Sequence, residues 1–75
     1  MKAYILLCVQ PNKEDKILKK VSKLPKVKTA HVLFGSWDLI AEVEMKDVAE
    51  LNKFMLEKIR KLGEVTLSAT MVVAK

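Results

Sequence analysis

The run Ala3-Tyr-Ile-Leu-Leu-Cys-Val9 constrains this chain more than any other stretch. It falls far short of the roughly 20 apolar residues that a membrane helix needs. A single lysine precedes it and no small-residue cleavage signal follows, so it does not read as a secretory leader either. Pro11 bounds it, which predicts a strand over Lys2 to Gln10. Because nearly every position is apolar, both faces of that strand need cover and it belongs in the middle of a sheet.

The rest of the chain alternates between helical and strand periods. Asn12, with Asp15 three residues on, predicts a capped helix start. Ile17, Leu18, Val21 and Leu24 then recur at helical spacing, with Lys13, Lys16, Lys19, Lys20 and Lys23 on the opposite face. Pro25 stops this helix near Leu24. Val27 to Phe34 and Asp38 to Met45 read as a hairpin turning at Gly35-Ser36-Trp37, the second strand presenting Leu39, Ala41, Val43 and Met45 on one face. Asp47 and Glu50 have capping-box spacing for a second helix with a stripe of Val48, Leu51, Phe54, Met55, Ile59 and Leu62. Gly63 is expected to close that helix in left-handed geometry. A last strand, Val65 to Ala74, alternates Leu67, Ala69, Met71 and Val73 with Thr66, Ser68 and Thr70.

The order β-α-β-β-α-β in a chain of 75 residues predicts an α+β class and a single domain over residues 1–75. Short crossovers favour a ferredoxin-like sandwich, a four-stranded antiparallel sheet with two helices on one face. Such helices leave the other sheet face bare. The first strand has no polar face to offer: Ala3, Ile5, Leu7 and Val9 point one way, and Tyr4, Leu6 and Cys8 the other. We assign the first set to the helices and the second to a dimer interface, because soluble monomers seldom expose several hundred Å² of contiguous apolar surface. A core this small also gains from a partner.

Composition narrows the chemistry. One cysteine and one histidine exclude a disulfide framework and a cysteine-built zinc site, and the expected compartment is the reducing cytoplasm. No metal, cofactor or catalytic residue is assigned: His31 has no nucleophile at a recognisable spacing, and Cys8 lies inside an apolar run. The net charge is +5, yet Arg60 is the only arginine among 14 basic residues. Lysine-rich surface is usually solvated surface, since arginine supplies the planar fork of specific phosphate contacts. The central strands lack the aromatics of an RNA-stacking sheet.

Gly35-Ser36-Trp37-Asp38 is the most informative stretch. A glycine turn can aim successive backbone N–H groups outward at a carboxylate, and a neighbouring Asp38 can accept from an ammonium group. Together they suit a zwitterion, although an ordinary hairpin turn has the same spacing. Ser68 and Thr70 share one face of the last strand and could orient a small polar ligand, or simply face water. Two other functions stay open on these residues. One is a small dimeric α+β barrel enzyme acting through His31 and a carboxylate. The other is a basic nucleic-acid-binding module using the lysines of the first helix.

The chain resembles the effector-binding domain of the leucine-responsive regulatory protein (Lrp/AsnC) family along essentially its whole length. The resemblance rests on the first strand with its Pro11 loop and on Leu24-Pro25-Lys26-Val27, where the family has Pro-Gly-Val. It rests also on Gly35-Ser36-Trp37-Asp38-Leu39, where the family aromatic is Tyr, on the second helix Leu51 to Arg60, and on Ser68-Ala69-Thr70 for a Thr-x-Thr motif. It implies dimers that assemble further, often as a ring of four dimers, and an amino acid bound between dimers. By that resemblance the backbone of Gly35, Ser36, Trp37 and Asp38 holds the ligand carboxylate, Asp38 takes the ammonium, and Ser68 and Thr70 add hydroxyls. The family's DNA-binding helix-turn-helix has no counterpart among these residues. The expectation is a stand-alone effector module that pairs with itself or with full-length relatives and does not bind DNA directly.

Overall fold

The alternation of the first strand is carried through in the computed structural model, which describes residues 1–75. β1 (Lys2–Val9) is central, flanked by β3 (Leu39–Glu44) and β4 (Val65–Val72), with β2 (Val27–Val32) beyond β3, in the order β2-β3-β1-β4. All three pairings are antiparallel, so β1 runs parallel to β2 and β3 to β4. Each parallel pair is split by one intervening strand and joined through a helix, α1 (Glu14–Ser22) or α2 (Val48–Phe54). This is the predicted ferredoxin-like sandwich.

The core lies between the helices and one sheet face. Ala3, Ile5, Leu7 and Val9 of β1 are buried, as are Leu39, Ala41, Val43 and Met45. Ile17 and Val21 of α1 cover them from above, with Leu51, Phe54, Met55 and Ile59 from the second helix. Val48 departs from its expected place in this stripe: it is 52% exposed, at the first position of α2 where the helix has not yet reached the sheet. At the sheet end opposite the hairpin tip, the Met1 ammonium binds Glu44 Oε1 at 3.0 Å and donates to the Met45 carbonyl at 2.8 Å.

Helix ends differ from expectation in instructive ways. Asn12 is not the cap of α1; it sits at φ 66°, second of the central pair in a turn closed by Lys13 N–H donating to Gln10 O at 3.1 Å. Pro at the first central position and Asn at the second, left-handed one is the type II pattern, and it takes precedence over capping here. Lys13 caps α1 without any side-chain hydrogen bond. The turn after α1 repeats the device with Pro25 and with Lys26 at φ 76°, a position where glycine is the natural occupant. The cap predicted for α2 is present: Asp47 Oδ1 accepts from Glu50 N–H at 2.9 Å, while Glu50 Oε1 reaches the N–H of Lys46 at 3.0 Å. α2 continues into a π-helical turn, Met55–Ile59, closed by Arg60 N–H on Met55 O at 2.9 Å. Gly63 does not take left-handed geometry; Val65 N–H donates to Leu62 O at 3.0 Å and the chain turns there without it.

One irregularity sets the faces of β4. Between Cys8 and Val9 the β1–β4 register shifts, leaving Thr66 without an opposite residue, and its hydroxyl donates to Cys8 O at 3.2 Å. Beyond this bulge Leu67 stands opposite Cys8, Ala69 opposite Leu6 and Met71 opposite Tyr4. The apolar set of β4 therefore joins the open sheet face, and Ser68 and Thr70 turn to the helix side, opposite Leu7 and Ile5.

Candidate functional site

The hairpin between β2 and β3 is held by its last residue. Asp38 O accepts from Leu33 N–H at 2.8 Å, Asp38 N–H donates to Leu7 O at 2.9 Å, and Asp38 Oδ2 accepts from Val9 N–H at 2.9 Å. The carboxylate thus closes the ladder at the end of β1, and its other oxygen makes no protein hydrogen bond. Gly35, at φ 139°, makes the reversal that an L side chain rarely adopts. The backbone N–H groups of Gly35, Ser36 and Trp37 find no acceptor in the protein, while the Ser36 carbonyl accepts weakly from Cys8 Sγ at 3.4 Å. Three successive N–H groups without protein acceptors thus stand beside a carboxylate with one committed oxygen.

The tip opens onto a hollow of ≈ 440 Å³ lined by Gly35, Asp38, Val32, Leu33 and Phe34 on one side and by Glu14 and Asp15 of α1 on the other. Three carboxylates surround it, which favours a cationic group inside. Phe34 is fully solvent-exposed, because β2 ends at Val32 rather than at Phe34 as its residue pattern predicts. Trp37 is half-buried.

The remaining expected ligand residues stand elsewhere. Ser68 lines a different hollow, with Ile59, Arg60 and the start of β4. Thr70 lies one step further along the edge strand. β1 separates the tip from both hydroxyls, so Leu39 beside the tip and Ser68 are about two strand spacings, ~10 Å, apart. One chain therefore does not bring the six residues together. Tyr4, Leu6 and Cys8 do share the open face, half-buried, with Ile40, Leu67, Ala69 and Met71 around them. His31 lies exposed on the polar side of that face, opposite Ile40. No group of three or more His, Cys, Asp or Glu residues is arranged to hold a metal ion. No helix is long and apolar enough to cross a membrane.

The fold is a ferredoxin-like sandwich whose hairpin tip presents three backbone N–H groups without protein acceptors beside the Asp38 carboxylate. Residues 2–75 match the Lrp/AsnC ligand binding domain, and the chain belongs to that family. The family is a regulatory domain of transcription regulators, not an enzyme family. The chain is 29% identical over 70 residues to an HTH-type transcriptional regulator of Pyrococcus abyssi, covering 93% of this chain and 44% of the regulator. It spans about half the length of the curated relatives it matches. The crystal structure of FFRP-DM1 superposes with a TM-score of 0.90 at 38% identity, covering 96% of each chain. A transcriptional regulator of Neisseria meningitidis, solved as a complex with L-Met, shares the fold with a TM-score of 0.88 at 21% identity, over 99% of this chain and 49% of that one.

Proposed function

We propose that this chain is a single cytoplasmic ligand-binding domain that senses an amino acid and converts its presence into a change of assembly. Two copies bury their open sheet faces through Tyr4, Leu6 and Cys8, and such dimers associate further, up to a ring of four. Because β1 separates the tip from the hydroxyls, the complete site draws its two halves from different subunits. Gly35, Ser36 and Trp37 offer N–H groups to the ligand carboxylate, the free oxygen of Asp38 takes the ammonium, and Ser68 and Thr70 of a neighbouring chain supply hydroxyls. A ligand at such a junction stabilises whichever assembly binds it more tightly. It would act on this protein's own rings or on its pairing with full-length relatives, without direct contact to DNA.

The observation that carries this reading is the tip itself: three consecutive unpaired N–H groups beside a carboxylate with one free oxygen. The Neisseria regulator's complex with L-Met adds support for the ligand class. The test is thermal melting against each of the twenty amino acids, with light scattering of the free and ligand-bound protein. A ligand that binds only the folded assembly raises the midpoint. A chain that stays monomeric at micromolar concentration, with no amino acid moving its midpoint, overturns the proposal.

A further inference from the structure

Arg60 is the only arginine in a chain with 14 basic residues, and the fold places it at a second hollow, away from the hairpin tip. The π-helical turn ends at fully buried Ile59, and the next residue reaches the start of β4. The hollow measures ≈ 270 Å³ and is lined by Ile59, Arg60, Val65, Thr66, Leu67 and Ser68. None of these is acidic. The carboxylates of Glu42, Glu44, Glu50 and Glu64 are each paired with another cation, and none lies within ion-pair distance of Arg60. The Ser68 hydroxyl, turned to this side by the β4 bulge, makes no hydrogen bond in the protein, whereas the Thr66 hydroxyl is committed to Cys8 O.

We infer that this hollow binds a small apolar monocarboxylate, such as a short branched-chain acid or 2-oxo acid. The guanidinium fork pairs with the carboxylate in two parallel hydrogen bonds. Ser68 donates to one of the same oxygens, and Val65, with Leu67 at the rim, flanks the hydrocarbon end. An amino acid is a poorer fit, because its ammonium group meets the like charge of Arg60 and no carboxylate there. The volume lies just under the usual range of small-molecule pockets, which favours a ligand of few heavy atoms. The inference shares Ser68 with the amino-acid site proposed at the subunit junction, but rests on Arg60, which that site does not use.

The experiment is a heteronuclear NMR titration of the full chain at constant ionic strength with isovalerate and with 4-methyl-2-oxopentanoate. Isoamylamine, leucine, inorganic phosphate and an N-acetylated dipeptide ending in leucine are the comparison arms. Saturable shifts of the Arg60 side-chain N–H and the Ser68 amide, with at least tenfold weaker binding in Arg60→Ala and partial recovery in Arg60→Lys, are expected. Shifts from leucine centred on the Gly35, Ser36 and Trp37 amides, without the Arg60 side chain, belong to the tip and separate the two sites. Affinity in Arg60→Ala within twofold of the parent overturns the assignment, as do shifts centred on the lysines of α1. Equal binding of phosphate or leucine overturns the ligand class, and tighter binding of the dipeptide reassigns the hollow to a chain terminus.

Discussion

Asp38 has one task in the structure and a second in the proposed function, and substitution can separate them. Its Oδ2 accepts the Val9 N–H at 2.9 Å, the bond that ends β1 and pins the hairpin tip. A hydrogen bond to a charged group contributes roughly 1.5–3 kcal/mol. Asp38 is only half-buried, so the lower end applies, and Asp38→Ala should cost ~1.5 kcal/mol. In a domain of this size each kcal/mol moves the midpoint by about 4–8 °C, so the variant should melt ~6–12 °C lower. Asp38→Asn keeps an acceptor for Val9 and should lose less than half of that. It nevertheless removes the negative charge that an ammonium would need. Melting at one fixed protomer concentration, with amide exchange at Val9, reads the first task; the midpoint rise from the best amino acid reads the second. The expected result is a stable tip without ligand response in Asp38→Asn, and a loosened tip without response in Asp38→Ala. A midpoint for Asp38→Ala equal to the parent's, with Val9 still protected, refutes the structural half of this reasoning. Undiminished ligand response in Asp38→Asn refutes the functional half.

Three further outcomes are expected. Lys26→Gly should raise stability by roughly 0.5–1 kcal/mol, since relief of the left-handed side-chain penalty exceeds the entropy glycine adds to the unfolded chain; unfolding in urea checks it, and a destabilised variant contradicts it. Leu6→Glu should leave the far-ultraviolet circular dichroism intact but reduce the scattering mass to that of one chain, because it puts a charge at the middle of the open face; an unchanged dimer removes that face as the interface. Acid should weaken the fold: the chain's ammonium terminus holds Glu44, and Lys16 at 2.7 Å holds Glu64, below the ordinary carboxylate range. A carboxylate depressed in the folded state contributes stability above its unfolded pKa and loses it as pH falls through the folded one. The loss should therefore develop below about pH 4.5, and Glu64→Gln should flatten the curve of midpoint against pH in that window.

Some of this was legible because it obeys one-dimensional rules. Period-two alternation in β1 and β3 marked every core residue of those strands, since a pleated strand has only two faces. The Asp47–Glu50 cap was legible for the same local reason, three residues apart along one turn. The Asn12 cap failed because Pro11 makes a competing local structure equally available, and only the path from β1 into α1 selects between them. Val48 failed because helical periodicity does not say where along its axis a helix meets a sheet. Phe34 failed because strand propensity continues past the point where the partner strand ends.

The sequence by itself determined the element order, the family and the two-faced apolar first strand, hence the need for cover on both sides of the sheet. It named the hairpin tip as the residues of interest but not their working state. Tertiary structure decided that Asp38 is half-committed to Val9, that the N–H groups of Gly35, Ser36 and Trp37 are left free, and that Ser68 stands across β1 from them. It also brought Arg60 to Ser68. These depend on register, and a single unpaired residue, Thr66, sets which faces meet across β1 and β4. A bulge is a compromise between two strands, so neither strand's own residues specify it.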